Sequence, residues 1–198
     1  SLQAGESLKS IAEERRACLE SSLDRAGLKD FLVADLEKWD APATSRKNAE
    51  DLGRSGTWAV VTGQQAGLLT GPLYTIYKAL GAVHLAAALE KKTGERVIPV
   101  FWMASEDHDL DEVRWLEWLS AEGDIARYEV DLDGLAGNCP AAKVPVERID
   151  VERLLEWRGQ VLRDSDFTAE TDRLIRESLE GARKWADAFA RLGHDSFW

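Results

Sequence analysis

Sulfur-bearing and imidazole side chains are scarce in this chain, which has two cysteines, one methionine and three histidines among 198 residues. Cys18 and Cys139 are far apart and lack the spacing of a metal-binding pair. Two unrelated cysteines of this kind are typical of a reducing compartment. We therefore expect a cytoplasmic protein.

Long apolar runs and an excess of basic residues are also missing. No apolar stretch approaches the ~20 residues that span a bilayer, and the first residues are polar, unlike a secretory signal peptide. The chain has 25 Lys and Arg against 36 Asp and Glu, for a net charge of -11. Proteins that bind nucleic acid neutralise phosphates with excess Lys and Arg, so we expect neither nucleic acid nor membrane as a partner. A small anion can still bind through local backbone N–H groups.

The remaining composition, 44% apolar, is that of a globular domain. We predict a helical segment over residues 1–56, an α/β core over 57–135, and a loop with C-terminal helices over 136–198, the last helix running from 168 to 192. Five of the eight tryptophans lie in apolar patterns and are expected in a core or interface: Trp102, Trp115, Trp118, Trp157 and Trp185.

A strand, a helix and a second strand are predicted between residues 57 and 103. The β-branched run 57–62 indicates a buried strand that ends at Gly63. Pro72 suits the first turn of a helix that reaches about Lys92, and residues 97–103 form the second strand. A helix between two strands predicts a parallel βαβ unit. The helix is expected to bury an apolar stripe: Leu73, Ile76, Tyr77, Leu80, Val83 and Ala87.

After the second strand, the pattern of residues 110–119 fits either a helix or a strand. Residues 121–124 resemble a hairpin turn, which leads into a strand over 125–130.

The first candidate loop, residues 63–72, reads G-Q-Q-A-G-L-L-T-G-P. Its glycines permit close backbone approach, and a helix N-terminus follows, so a phosphate, a carboxylate or sugar hydroxyls could bind. The sequence is neither the dinucleotide fingerprint G-x-G-x-x-G nor a Walker loop, and a tight turn without a ligand stays an alternative. Tyr74 and Lys78 share one helix face. Lys78 either pairs with an anion at this loop or is simply exposed.

The second candidate loop, residues 105–112, holds five carboxylates and His108 within eight residues. Crowded carboxylates raise one another's pKa, so a metal, a substrate amine or a basic side chain should offset the repulsion. A histidine flanked by acids can serve as a general base or proton relay. We assign no metal site, because His84 and His194 lie elsewhere in the sequence. A solvated acidic loop is the alternative.

Two long motifs resemble one known family. V-T-G-Q-Q-A-G-L-L-T-G-P-L-Y-T-I-Y-K followed by P-V-F-W-M-A-S-E-D-H-D-L-D-E-V resembles the cysteine-adding enzymes of bacillithiol biosynthesis, the BshC cysteine ligases. The resemblance implies an α/β, Rossmann-like core related to nucleotidyl transferases, with a small β-hairpin, inserted connecting segments and a helical coiled coil. It implies a reaction that joins L-cysteine to the amino group of glucosaminyl malate to give bacillithiol.

The resemblance also implies a ligand cleft. Its first-loop residues would bind substrate or nucleotide: Gly63, Gln64, Gln65, Gly67, Thr70 and Gly71, with Tyr74 and Lys78 behind them. Its second-loop residues would lie at the neighbouring strand end, and we assign them as catalytic on chemical grounds alone: Glu106, Asp107, His108 and Asp109. On chemical grounds we assign His108 as the base toward the incoming amine, oriented by Asp107 or Asp109. The cofactor stays open, with an adenine nucleotide as a candidate.

The resemblance covers the N-terminal part of such an enzyme and fades after about Leu192. We therefore expect a truncated member that has little activity alone and forms homo-oligomers. Two rival functions are a non-catalytic module that binds a nucleotide or a sugar acid, and a metal-dependent hydrolase built on residues 106–109.

Overall fold

The computed structural model describes residues 8–135 and 139–197. Its contacts divide the chain into two compact units. The first unit takes in the chain up to Val61 together with Gly81–Val100, and the second takes in Thr62–Leu80 together with the chain from Phe101.

Eight α-helices and four strands occur in the described residues. In chain order they are α1 Leu8–Leu19, α2 Arg25–Lys38, α3 Ala43–Leu52, β1 Trp58–Gln65, α4 Leu73–Thr93, β2 Val97–Ala104, α5 Leu110–Val113, β3 Trp115–Leu119, β4 Ile125–Glu129, α6 Val151–Val161, α7 Thr168–Leu179 and α8 Trp185–Phe197. Short 3-10 turns lie at Ala141–Lys143 and Val146–Arg148.

A charged network organises the first unit around Arg96, at the start of β2. Its guanidinium donates to the Asp51 carboxylate at 3.0 Å, to Glu90 at 2.9 Å and to the Asn48 side chain at 2.8 Å. Asp51 is buried on α3, so its charge needs this partner. The backbone N–H of Val97 and then Arg96 lower the pKa of Glu90. The network therefore ties α3, the end of α4 and the beginning of β2 together.

Strands β1 and β2 form a parallel pair that α4 connects, which confirms the predicted βαβ unit. However, β1 continues through Gln65, so the prediction that Gly63 ends it is wrong. A Cβ at Gly63 would lie 2.6 Å from the Trp102 carbonyl oxygen, closer than real Cβ contacts allow. Glycine at this position permits close approach to β2 and does not mark a turn.

Helix α4 buries a different stripe from the predicted one. Its buried residues are Thr75, Ala79, Ala82 and Ala86, whereas Leu73 and Tyr77 are 64% and 68% exposed. Small side chains let a helix approach its neighbours closely. Because α4 is apolar on more than one side, periodicity alone could not select the buried side.

The predicted single helix over 168–192 is also wrong, because a turn separates α7 from α8. Gly181 takes a left-handed conformation, with φ of 75°, which suits glycine. The carboxylate of Asp187 then accepts hydrogen bonds from the backbone N–H groups of Arg183 and Lys184, at 3.3 and 3.0 Å, and so stabilises the start of α8.

The core of the second unit lies among the C-terminal helices and the β3–β4 hairpin. Residues 110–119 contain both structures that the sequence pattern allowed: a short helix, α5, comes first, and the strand β3 follows it. β3 and β4 pair antiparallel, from Trp115↔Glu129 to Leu119↔Ile125, so the predicted hairpin is confirmed. The ring centroid of Trp157 lies 5.0 Å from the ring centroid of Trp118 and 5.4 Å from the ring centroid of Tyr128. Within the described part of the chain, no helix is both long and apolar enough to cross a membrane.

Candidate functional site

Both motif loops follow the carboxyl ends of the parallel strands, where open α/β sheets bind ligands. Consecutive residues of a strand point to opposite faces. Since β1 extends through Gln65, the side chains of Gln64 and Gln65 point in opposite directions. The Q-Q pair therefore takes part in two separate hydrogen-bond clusters of the second unit.

The first cluster joins Gln65 to the acidic loop. The Gln65 amide nitrogen donates to Asp107 Oδ2 at 2.9 Å and to Glu112 Oε2 at 3.2 Å. One neutral amide thus holds two carboxylates together without adding charge. The backbone adds a second link, because the Leu68 N–H donates to the Val113 carbonyl at 2.8 Å. These bonds bring the two motif loops into contact.

The second cluster consists of Gln64, Tyr74 and Lys78. Lys78 Nζ donates to the Gly63 carbonyl at 3.2 Å and to Gln64 Oε1 at 2.9 Å, and it lies 5.0 Å from the Tyr74 ring centroid. The Gln64 amide nitrogen donates to the Tyr74 hydroxyl at 3.2 Å. Lys78 therefore reaches back to the first loop, and its charge lies at the end of β1.

The turn between β1 and α4 is compact and strained. A Cβ at Gly67 would lie 2.8 Å from the Gly71 Cα, so the two glycines pack against each other. Gly71 has a φ of 67°, and Leu69 has a φ of 56°, which is uncommon for a residue with a branched side chain. Thr70, between them, is half-buried. Backbone strain of this kind often accompanies a binding function.

The backbone of the acidic loop is held by hydrogen bonds from the turn Ala141–Lys143. The N–H groups of Ala141 and Ala142 donate to the carbonyls of Asp107 and Ser105, at 3.3 and 2.9 Å. Glu106, His108 and Asp109 are exposed, whereas Asp107 is half-buried. The loop thus presents an imidazole and two carboxylates to solvent on a fixed backbone.

Asp107 does not follow the expectation that crowding raises carboxylate pKa values. The backbone N–H of Asp109, which donates to its Oδ1 at 3.1 Å, and then the Gln65 amide lower the pKa of Asp107. Hydrogen bonds to the ionised form outweigh the partial burial, which by itself would raise the pKa. Asp107 is therefore a carboxylate at neutral pH.

His108 interacts with Asp107. A hydrogen bond from the backbone N–H of His108 and an electrostatic interaction with the same residue contribute to the lowered pKa of Asp107. Across residues 8–135 and 139–197, no hydrogen bond joins the imidazole to Asp107 or Asp109. The orientation of the imidazole by one of these carboxylates stays a prediction.

In the part of the chain that the structure describes, no three His, Cys, Asp or Glu side chains are grouped to hold a metal ion. Lys78, the cation nearest in sequence to the glycine-rich turn, already donates to Gly63 and Gln64. The sequence of the turn, G-Q-Q-A-G-L-L-T-G-P, lacks the lysine of a Walker loop.

Two contributors to the site were missed by reasoning from sequence. Glu112 shares the Gln65 amide with Asp107, which required knowing that β1 reaches residue 65. Trp185 was expected only as a core anchor, yet its indole N–H donates to the Ala66 carbonyl at 2.8 Å. No local signal could have linked residues 119 positions apart.

A family model for bacillithiol biosynthesis BshC, N-terminal Rossmann-like domain, matches residues 4–198. The expectation that the resemblance fades after Leu192 is therefore wrong. The match also agrees with the α/β class and the parallel strand pair found here.

Curated relatives carry the name "Putative cysteine ligase BshC". One from Symbiobacterium thermophilum is 37% identical over 196 residues, covering 90% of this chain and 34% of the relative. One from Geobacillus thermodenitrificans is 36% identical over 169 residues, covering 85% and 31%. One from Bacillus cytotoxicus is 33% identical over 168 residues, covering 85% and 31%.

This chain therefore spans about a third of the length of the curated relatives that it matches. The family model covers nearly all of the chain, and it includes both motif loops. On this evidence the chain belongs to the BshC family of bacillithiol biosynthesis and corresponds to its N-terminal Rossmann-like domain.

Proposed function

We propose that this domain supplies part of the active site of a ligase that joins L-cysteine to the amino group of glucosaminyl malate. The observation that carries the proposal is the link between the two family motifs, in which Gln65 donates to both Asp107 and Glu112. A bond across the two loops fixes their side chains at one sheet edge. The names of the relatives supply the reaction class.

The proposed chemistry is amide formation. A bond forms between the amine nitrogen of glucosaminyl malate and the carboxyl carbon of cysteine, and the amine loses a proton as the bond forms. The bond from that carbon to its carboxyl OH group breaks, and the OH group leaves with the lost proton as water. His108 is exposed on the acidic loop and is our candidate for the base that takes this proton. Asp107 stays ionised, and with Glu106 and Asp109 it provides negative charge that favours an incoming ammonium group.

The glycine-rich turn is the proposed anion site for the carboxylates of the malate group. It precedes the N-terminus of α4, whose partial positive charge favours an anion. Gln64, Tyr74 and Lys78 lie at the neighbouring end of β1 and add polar groups and one positive charge.

We propose that the domain works in the cytoplasm and self-associates. The cysteines, Cys18 and Cys139, are free thiols, as in a reducing compartment. Leu73, Tyr77 and Trp102 are large apolar side chains that are mostly exposed in the second unit. Exposed apolar groups of this size favour contact with another protein surface.

Replacement of His108 by Ala should lower turnover by ~10²–10⁴-fold, the usual contribution of a general base. Turnover of L-cysteine and glucosaminyl malate would be measured in a full-length relative whose N-terminal third is exchanged for this chain. His84→Ala is the control, because His84 is an exposed histidine outside both motifs. Near-normal kcat in the His108 variant, with an unchanged melting temperature, would show that the base is another group.

Replacement of Gly71 by Val should weaken binding of glucosaminyl malate and of L-malate by about tenfold, as expected when one anion-binding N–H group is misplaced. Gly71 has a φ of 67°, a conformation that valine resists. Gly94→Val is the matched control, since Gly94 has a φ of 76° at the end of α4, outside both motifs. Calorimetry would measure both affinities, and equal affinity in the two variants would refute an anion site at this turn.

Replacement of Gln65 by Leu should raise the pKa of Asp107, because an amide that stabilises its ionised form is lost. Asp107 has a folded pKa below its unfolded value of about 3.9. It therefore stabilises the fold above that pH, and this stabilisation disappears as pH falls through the folded value. The stability deficit of Gln65→Leu should accordingly shrink in acid.

The carboxyl carbon of Asp107 would be followed by ¹³C NMR during a pH titration. Gln64→Leu is the control, because Gln64 bonds Tyr74 and Lys78 instead. An unchanged Asp107 titration in Gln65→Leu would mean that the amide bond does not form in solution.

Replacement of Tyr77 by Lys should shift the protein toward the monomer, because a charge on the exposed side of α4 opposes apolar association. Light scattering over a range of protein concentrations measures the change in mass. Phe167→Lys is the control, since Phe167 is 71% exposed and lies outside α4. A wild-type protein that stays monomeric at every concentration would contradict the proposed self-association.

A further inference from the structure

Trp185, the first residue of α8, makes hydrogen bonds to the supports of both motif loops. Its indole N–H donates to the carbonyl of Ala66, the residue that follows β1, at 2.8 Å. Its backbone N–H donates to the carbonyl of Val144 at 2.9 Å. Trp185 is 2% exposed, so neither bond competes with bulk water.

The Ala66 bond acts on the glycine-rich loop. Ala66 is fully buried and comes directly after Gln65, whose amide holds Asp107 and Glu112. The cavity left between Gly67, Leu69 and Trp185 measures about 10 Å³. That volume is at the lower limit for one water molecule, so the packing around the indole is tight.

The Val144 bond acts on the acidic loop. Val144 is fully buried and directly follows the turn Ala141–Lys143. Within that turn, the N–H groups of Ala141 and Ala142 donate to the carbonyls of Asp107 and Ser105. The backbone of Trp185 therefore holds the segment on which the acidic loop rests.

We propose that Trp185 is a positioning residue that sets the placement of the glycine-rich loop against the acidic loop. This inference deepens the proposed function and rests on it for the identity of the site. The indole N–H fixes the end of β1 from the side of α8, and the backbone of the same residue fixes the support of the acidic loop. A change at α8 is thereby transmitted to both loops at once.

Trp185→Phe tests the inference, because it removes the indole donor and keeps an aromatic ring in the core. Amide hydrogen exchange measured by NMR should become about tenfold faster over residues 66–70, relative to the amides of α6. Because Gln65 precedes Ala66 and bonds Asp107 and Glu112, exchange over residues 105–112 should become faster as well. Trp157→Phe is the matched control. It makes the same reduction in ring size in the same unit, at a side chain that packs on Trp118 and Tyr128.

A second variant covers the case in which Trp185→Phe fails to fold. Replacement of Trp185 by 3-(3-benzothienyl)alanine keeps the bicyclic shape and exchanges only the N–H group for sulfur. Faster exchange in both loops with this analogue, and unchanged loop exchange in Trp157→Phe, supports the inference. Wild-type loop exchange with the analogue, or an equal effect of Trp157→Phe, overturns it.

A titration with L-malate, followed through the same amide signals, separates this inference from the proposed function. If wild-type protein shows no malate-dependent shifts, the proposed anion site fails, while hydrogen exchange still decides the role of Trp185. If malate binds, the Trp185 analogue should bind it more weakly and Trp157→Phe should not. A purely structural role would lower the melting temperature of both phenylalanine variants and leave malate affinity unchanged.

Discussion

The candidate site depends on the close approach of β1 and β2 at Gly63. A side chain there would collide with the Trp102 carbonyl, so only glycine lets the strand continue beside its neighbour. Because the strand continues, Gln64 and Gln65 fall on opposite faces. One glutamine then bonds the acidic loop and the other bonds the first turns of α4. The absence of one Cβ thus determines which polar groups meet.

Because Gln64 and Gln65 lie on opposite faces of β1, the positive charge of Lys78 is kept apart from the carboxylates of the acidic loop. Lys78, with Gln64 and Tyr74, places a positive charge beside the carbonyl end of β1. Asp107 and Glu112 lie around Gln65, whose amide satisfies them without neutralising them. A negative loop beside a helix N-terminus can distinguish the amine from the carboxylates of a bifunctional substrate. Glucosaminyl malate, the substrate in the proposed function, carries both groups.

Prolines, glycines and turn residues in the sequence predicted much of the fold. The predicted helix from Pro72 to about Lys92 agrees with α4, and the predicted turn at 121–124 agrees with the β3–β4 hairpin. The prediction from glycine failed at Gly63. In a sequence, a glycine that allows two strands to approach closely cannot be distinguished from a glycine that ends a strand. The prediction of one continuous helix over 168–192 also failed, because Gly181 lies in the turn between α7 and α8.

The sequence predicted which two loops form the candidate site, but it did not predict the hydrogen bonds between their residues. Strand alternation, once β1 is extended by three residues, would have separated Gln64 from Gln65. The bond from Trp185 to Ala66 carries no local signature, since it arises only when α8 packs under the end of β1. Motif loops therefore indicate which residues can react or bind, and distant core residues determine where those loops lie. In this domain a buried tryptophan with one polar atom serves both the core and the site.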